Sequence, residues 1–593
     1  MQAGEDTGAA AQAPDWPLRP LILAGLGLVA GLLVHLVMSG VRFEYQLSAV
    51  QAASISGIAL AAVLTGFTLE RRLWWASILF SLATALVAAL VIYWNGSPGG
   101  WSASEGWRTI SLLLAVAIAA PLFQAARDEN APRFPYATVH DHAWTNVVLW
   151  CACCLFVVIV FLMAWLLSAL FELIKIHLLC ELLEKEWFWR ALIGLAFGAG
   201  LGLLRENDAV VRLLQRVVAT VLAVLAPVLA IGLALFLLAL PFTGLQALWD
   251  ATSATTPILL FCVVGALILA NAVIGNMPEH ERRFPLLRYG AMVLAATILP
   301  LAIIAAIATG LRIGQYGFTP ERLWAMVFVT LACLYGAAYL VSLALGRLGW
   351  AARVRPANLA LAFVTCGIAL LLATPLVSFN AISTRDQLAR LESGRVKPEE
   401  FDWRALAFDF GTPGKAALEK LRRSANATIR AGAENAARAD SRWEVQAGDE
   451  AGRRRAETAR NVRLLPKGGA MPAGLLETIA SSAQCSGNSK CTLSLLGAQE
   501  ALLFSDQCFE RGGVSRTDRK TGKTISGYSD CGIMSRYVLI DGKWAEPTTD
   551  FGKVIPGDPG PRGAAYREGR IEIRKVERRQ VFIGDVPVGE AFE

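Results

Sequence analysis

From residue 18 to residue 377, long apolar runs alternate with short polar breaks. Eleven runs can be placed, at 18–39, 48–69, 73–94, 107–124, 144–172, 188–204, 209–240, 252–275, 287–311, 321–345 and 357–377. A helix needs about 20 apolar residues to cross the hydrocarbon core of a bilayer. Lipid offers the backbone no hydrogen bonds, so each run is predicted to be an α-helix. The sixth run is short and the seventh long, which makes their limits the least secure. The leader before the first run, Met1 to Pro20, is acidic, and the run outlasts the apolar core of a signal peptide. It therefore reads as a retained span.

After residue 380 the periodicity changes. Ser383 to Leu391 has helical spacing, and Pro398-Glu399-Glu400 should open a second helix with proline and acids in its first turn. From Lys415 the chain is rich in Ala, Arg and Glu, consistent with either a solvated helical hairpin or partial disorder. Lys467 to Pro472 reads as a linker and Ala473 to Ser481 as a short helix. Short strands are then expected at Thr492 to Leu496 and Ala501 to Phe504. Ser535 to Trp544 should form a hairpin around Asp541-Gly542, and Arg570 to Val576 should pair with Arg579 to Val586. The predicted fold class is an all-α polytopic membrane bundle of about 11 transmembrane helices with a C-terminal α+β extracytoplasmic domain. The expected parts are a cytoplasmic leader (1–17), the transmembrane domain (18–380), a helical segment (381–466) and a small α+β module (467–593).

Composition agrees with this division. The chain is 55% hydrophobic and 17% charged, with a mean hydropathy of +0.48. Those values exclude a purely soluble enzyme, a disordered scaffold and a disulfide-rich mini-domain. Residues 1–380 carry 21 of the 55 Lys+Arg and 19 of the 48 Asp+Glu, and the remainder of the chain carries 34 and 29. The net charge of +7 is small for 593 residues and gives no reason to expect nucleic acid. Loops on one side of the bundle, with Arg19, hold 14 basic residues, Arg127, Arg205 and Arg355 among them, and loops on the other hold 7, Arg190 included. The positive side should be cytoplasmic. With the N-terminus inside, an odd number of spans places residues 381–593 outside the cytoplasm.

Seven of the 11 cysteines lie in or beside apolar runs and read as small buried hydrophobes. Cys485, Cys491, Cys508 and Cys531 lie in the tail, where an oxidising compartment favours two disulfides. A four-thiolate zinc site is the rival, but the spacing lacks paired C-x2-4-C ligands. Of the three pairings, Cys485–Cys491 with Cys508–Cys531 asks least rearrangement of the chain.

The search for chemistry yields little. No metal, cofactor or catalytic set is expected, and no histidine follows His280, so the tail cannot hold a Ser-His-Asp triad. Within the runs, His35 shares a helix face with Gly27 and Gly31. Gly194, Gly198 and Gly202 form a double G-x-x-x-G stripe suited to close helix packing. Tyr335, Tyr339 and Ser342 form a polar stripe at helical spacing. Ile174 to Trp187 is amphipathic, and is either an interfacial helix or an extension of run five. Arg312, Gln315, Tyr316 and Arg322 gather at a membrane boundary, where two guanidiniums suit a lipid phosphate or an acidic group. In the same segment, Thr319, Pro320 and Glu321 provide the N-cap, first turn and acidic complement of a helix. The triplet Arg133-Phe134-Pro135 is echoed by Arg283-Phe284-Pro285, a slender basis for a repeat.

The segment Arg312-Ile313-Gly314-Gln315-Tyr316-Gly317-Phe318-Thr319-Pro320-Glu321-Arg322-Leu323-Trp324 resembles one in a bacterial family of multi-pass membrane proteins catalogued only as a domain of unknown function. So do Phe134-Pro135-Tyr136 with Ala143-Trp144-Thr145-Asn146, Leu170 to Ile174, and Gln387 to Leu391 with Ser393 to Val396. The family carries tryptophan where this chain has Phe318. The resemblance covers roughly 120–410 and implies an integral inner-membrane protein. It supplies no catalytic residues.

Three functions fit. The first is a non-enzymatic membrane protein whose periplasmic tail binds or senses an envelope partner. The second is a carrier or channel for a lipid or small solute. The third is a membrane transferase using a lipid-linked donor, for which the first outer loop, Gly40 to Leu47, is short. The bilayer, a phospholipid or an envelope protein are the expected partners, and the oligomeric state is left open.

Overall fold

The computed structural model describes residues 16–41, 47–251, 254–439, 441–442, 454–465, 469–482, 485, 490–505, 516–517, 524–525, 535–546, 577, 579–583 and 586–592. The chain divides into two compact units, Met1–Ala437 and Arg438–Glu593.

The first unit is helical. It contains α1 (Arg19–Met38), α2 (Ala49–Thr68), α3 (Trp74–Asn95), α4 (Ala103–Asp128), α5 (Tyr136–Leu173), the short α6 (Leu178–Glu184), α7 (Glu186–Glu206), α8 (Asp208–Ala251), α9 (Thr255–Ile274), α10 (Pro285–Tyr316), α11 (Pro320–Gly346) and α12 (Ala351–Ala373). All but α6 are long and apolar enough to span a membrane, which makes 11 among the described residues. Each coincides with one of the apolar runs. Some helices outlast their run: α5 starts at Tyr136, because its polar first turns meet neighbouring helix ends. There Asn276 donates to Asp141 at 2.6 Å, and His142 meets Asp128 at 2.8 Å. The amphipathic stretch after α5 is a separate helix. Lys175, at φ 61°, turns the chain before α6 begins.

Two of its hydrophobic cores show how the bundle is held. In one, α8 to α12 pack around α10, whose Leu294, Ala295, Ile298, Leu301 and Ala302 are fully buried. In the other, Leu23, Phe67, Leu149, Cys153 and Leu201 join α1, α2, α5 and α7. Large apolar side chains elsewhere on the spans point outward. Phe261, 80% exposed, is typical, as expected where lipid is the solvent.

Basic side chains tie helix ends on one face of the bundle. Arg19 pairs with Glu70 at 2.7 Å and with Glu206 at 3.3 Å, while Arg205 pairs with Glu70. The last carbonyls of α2 lack partners within the helix. Arg205 donates to the Gly66 carbonyl, Gln124 to Phe67 at 2.9 Å, and Arg127 to Thr68. Arg355 does the same for α9, donating to the carbonyls of Ile274 at 2.7 Å and Met277 at 3.2 Å. A cation at a helix C-terminus both satisfies these carbonyls and complements the dipole. Arg127, Arg205 and Arg355, counted among the loop charges in the sequence, are therefore helix caps supplied by neighbours. They place the starts of α1, α5, α10 and α12 on one face, here the near face. The start of α13 follows α12 on the far face.

Still in the first unit, α13 (Phe379–Glu392) is capped by Ser378, whose hydroxyl accepts from Ala381 N at 3.2 Å. The expected helix at Pro398 does not form. Residues 398–400 are a turn, because Trp403 is buried and donates to the Pro398 carbonyl at 3.0 Å. A π-helical turn, Ala405–Asp409, follows, then α14 (Gly411–Leu421) and α15 (Ala427–Arg438). The stretch from Lys415 to Arg438 is thus largely helical, and α15 packs at Gly432 against Trp403. Asn426 caps α15, and Ala433 and Ala436 are buried.

The second unit contains a helical stretch at 454–461 (α16), β1 (Val462–Leu465), α17 (Leu475–Ser481), β2 (Cys491–Leu495), β3 (Glu500–Ser505), β4 (Arg516–Thr517), β5 (Thr524–Ile525), β6 (Ser535–Ile540), β7 (Lys543–Ala545), β8 (Arg579–Ile583) and β9 (Val586–Phe592). Its main sheet has the order β1-β2-β3-β6-β7, with only β1–β2 parallel. Asp541 and Gly542, both at positive φ, make the expected tight turn between β6 and β7. One expectation needs correcting: Arg579 to Val586 is not a single strand. It splits into β8 and β9, which pair with each other in antiparallel register. Residues 570–576 lie outside the described set.

Candidate functional site

On the far face, the turn between α10 and α11 is clasped by α13. Gly317 ends α10 at φ 77° and ψ −174°, a conformation that essentially only glycine adopts. Thr319 caps α11, its hydroxyl accepting from Arg322 N at 3.4 Å, and Pro320 takes the first helical position. Three side chains within about one turn of α13 then collect the main-chain groups of this turn. The Asp386 carboxylate accepts from Phe318 N at 2.7 Å. Gln387 donates to the carbonyls of Tyr316 at 2.9 Å and Phe318 at 3.0 Å, and Arg390 donates to the Gln315 carbonyl at 2.7 Å.

The four residues proposed as an anion site therefore have different situations. The Arg322 guanidinium folds back, donating to the Gly317 carbonyl at 2.9 Å and lying 5.3 Å from the centre of the Tyr316 ring. Gln315 contributes its carbonyl to the clasp. Arg312 is exposed and has no hydrogen bond or ion pair among the described residues.

The two glycine stripes meet each other. A Cβ on Gly194 would collide with the carbonyl of Gly27, one on Gly198 with the carbonyl of Leu23, and one on Gly202 would lie 2.5 Å from Pro20 Cα. α1 and α7 thus pack backbone against backbone, as small-residue stripes allow in lipid. At the far-face end of this pair, His35 meets Arg190, with Nδ1 and Nη1 3.0 Å apart. Arg190 also pairs with Glu186 at 3.0 Å.

A family model described as "Domain of unknown function (DUF4153)" matches residues 55–421, from within α2 to the end of α14. The chain belongs to that family. No curated protein and no solved structure was found to match it. The DUF4153 region takes in the clasp and all of α7, so the matched stretch is wider than the resemblance in sequence suggested. Gly27, Gly31 and His35 on α1 fall outside it, as does the whole second unit.

Within the DUF4153 region, Tyr339 is fully buried and belongs to a polar network not anticipated from the sequence. Asn271 donates to the Tyr339 hydroxyl at 2.7 Å, and Asn358 donates to Asn271 at 2.8 Å and to the Tyr136 hydroxyl at 3.4 Å. Trp144 donates to His140 Nε2 at 3.1 Å, beside Tyr136. Tyr335, one turn before Tyr339, is partly buried against the α8–α12 core. The network offers hydroxyls, amides and one imidazole, which suits helix registration through hydrogen bonds. Asn271 and Asn358 are lone amides in otherwise apolar runs. Those two amides are the network's signal in the sequence.

In the second unit, Cys485 and Cys491 form a disulfide, both buried. Cys508 and Cys531 lie outside the described residues. Among the described residues, no group of His, Cys, Asp and Glu is placed to hold a metal ion. Burial alone would raise the Glu500 carboxyl, but hydrogen bonds from Arg536 at 2.6 Å and Arg579 at 3.3 Å outweigh it and hold the group below its ordinary range.

Proposed function

We propose that this DUF4153 protein is a non-enzymatic integral membrane protein that presents a folded C-terminal domain to a partner. In this reading the N-terminus is cytoplasmic and the C-terminal domain periplasmic, in a bacterial inner membrane. The excess of arginine on the near face supports the orientation. The separate core of the second unit supports an independent binding module. That core joins Leu475, Ile479, Leu493, Leu503, Tyr537 and Trp544.

One observation carries the partner-binding reading. Leu496 and Ile540 are 49% and 50% exposed. The registers Leu495↔Ala501 and Glu500↔Val538 put both at the same end of the sheet, beside the Glu500–Arg536–Arg579 cluster. An apolar pair bordered by charge is the composition of a protein contact, with a buried centre and a polar rim. At the clasp, Arg312 is the cation left to meet a lipid phosphate or an acidic group, because Arg322 is engaged internally.

A photo-crosslinking residue placed at Leu496 or Ile540 in the full-length chain tests this in cells. A discrete adduct at both positions, absent at the exposed Arg460 of α16, is expected. Equal adducts at all three positions, or none, would contradict the reading.

A further inference from the structure

We propose that a cleft bounded by α1, α2 and α7 holds one acyl chain of a membrane phospholipid, with the phosphate at Arg190. The cleft has a volume of about 390 Å3. It runs along α1 from Leu23 to Met38, which at about 1.5 Å per residue is about 22 Å. One leaflet is about half of the ~30 Å hydrocarbon core, so the cleft is long enough to take a chain lengthwise.

Its walls follow from the glycine contacts. Because α1 and α7 touch through their backbones, they form a narrow ridge, and α2 faces that ridge with the small residues Ala59 and Ala62. Leu26, Val34, Val63 and Phe197 complete an almost wholly apolar lining. Protein interiors are close-packed, and an apolar void of this size does not hold stable water. Hydrocarbon fills it, and in a bilayer the hydrocarbon at hand is a lipid chain.

The far-face end of the cleft is polar. Arg190 lines it, is only 8% exposed, and lies over the Trp189 ring at 5.0 Å. Its two terminal nitrogens face His35 and Glu186, while Nε is buried with no acceptor. An unmet donor inside a membrane is costly, which favours a guanidinium turned toward an acceptor in the cleft. A phosphate oxygen is a matched acceptor for a guanidinium, and a tryptophan at this level suits the headgroup boundary. Tail cleft and cationic head together fit a phospholipid better than a neutral lipid.

The test is native mass spectrometry of the purified full-length protein, equilibrated with equal amounts of phosphatidylglycerol and of diacylglycerol with the same chains. The wild type should retain one phosphatidylglycerol per chain, at least tenfold over diacylglycerol. Ala62→Phe, which fills the cleft from α2, should lower retention of both lipids at least tenfold. If that variant fails to fold, Ala30→Leu fills the same space from α1. Arg190→Gln should keep chain binding but lose the preference for phosphatidylglycerol, with Arg190→Lys between the two. The proposal is overturned if the wild type holds both lipids equally. It is also overturned if a folded cleft-filling variant retains phosphatidylglycerol as well as the wild type does.

Discussion

Substituting Gly317 by alanine should release α13 from the far face of the bundle. Two effects act together. The backbone at Gly317 lies where an L-residue costs about 1–3 kcal/mol. The new Cβ would also sit 2.5 Å from Asp386 Oδ2, 2.7 Å from Arg390 Cδ and 2.8 Å from Gln387 Nε2. Those are the three side chains of the clasp, so relieving the overlap means giving up some of its four hydrogen bonds. A bond to a charged partner contributes about 1.5–3 kcal/mol and a neutral one about 0.5–1.5 kcal/mol, less where water can replace it. Strain plus the loss of one or two bonds comes to roughly 3–6 kcal/mol. Hydrogen exchange of the full-length protein reads this directly, since local opening of α13 sets the exchange of its amides. At about 1.4 kcal/mol per factor of ten, the amides of Phe379–Glu392 and that of Phe318 should exchange at least a hundredfold faster. Asp386→Asn, which removes charge without adding strain, should give a smaller increase. Wild-type exchange rates across α13 in Gly317→Ala would refute the clasp as an energetic element.

Three further outcomes follow from the same contacts. Replacing Cys485 and Cys491 with serine removes a link between residues six apart, which should destabilise the C-terminal unit by about 2 kcal/mol in denaturant while leaving the bundle transition unchanged. Because Glu500 is held below its ordinary value of 4.5, its ion cluster stabilises the fold above that pH. The urea midpoint of the C-terminal unit should therefore be level from pH 7 to about 5 and fall below about 4.5, with the fall weakened in Glu500→Gln. Gly194→Ala forces apart the α1 and α7 backbones and should lower the melting temperature of the bundle. Gly25→Ala has no neighbour within 4 Å, so it should be neutral or stabilising by up to about 1 kcal/mol.

The spans were legible because crossing hydrocarbon imposes length and apolarity on each helix separately, a constraint that any single run reveals. Pairings were less legible. The Gly27–Gly31 and Gly194–Gly198–Gly202 stripes were each readable as packing faces, yet nothing in either stripe says that the other is its partner. Arg190 was counted with the loop charges, because its burial beside His35 depends on that pairing. Arg127, Arg205 and Arg355 were likewise read as topology signals, and their second role, capping helices far away in sequence, appears only in three dimensions. The Asp386, Gln387 and Arg390 triad was hidden because the groups it binds are backbone atoms, which leave no trace in composition. Pro398-Glu399-Glu400 has the local chemistry of a helix start, and the buried Trp403 overrides it. In the β-rich unit, the Asp541-Gly542 turn was clear, whereas the division of Arg579 to Val586 between two strands was not.

In the proposed orientation the C-terminal domain is displayed across the membrane from the N-terminus. Labelling intact spheroplasts with a membrane-impermeant thiol reagent tests that most directly, using single cysteines introduced at Ile540 and at the near-face Arg71 in a chain otherwise free of reactive cysteine. The account predicts that the cysteine at 540 is labelled without permeabilisation and the one at 71 only after it. Labelling in the reverse order, or of both positions from the same side, would contradict it.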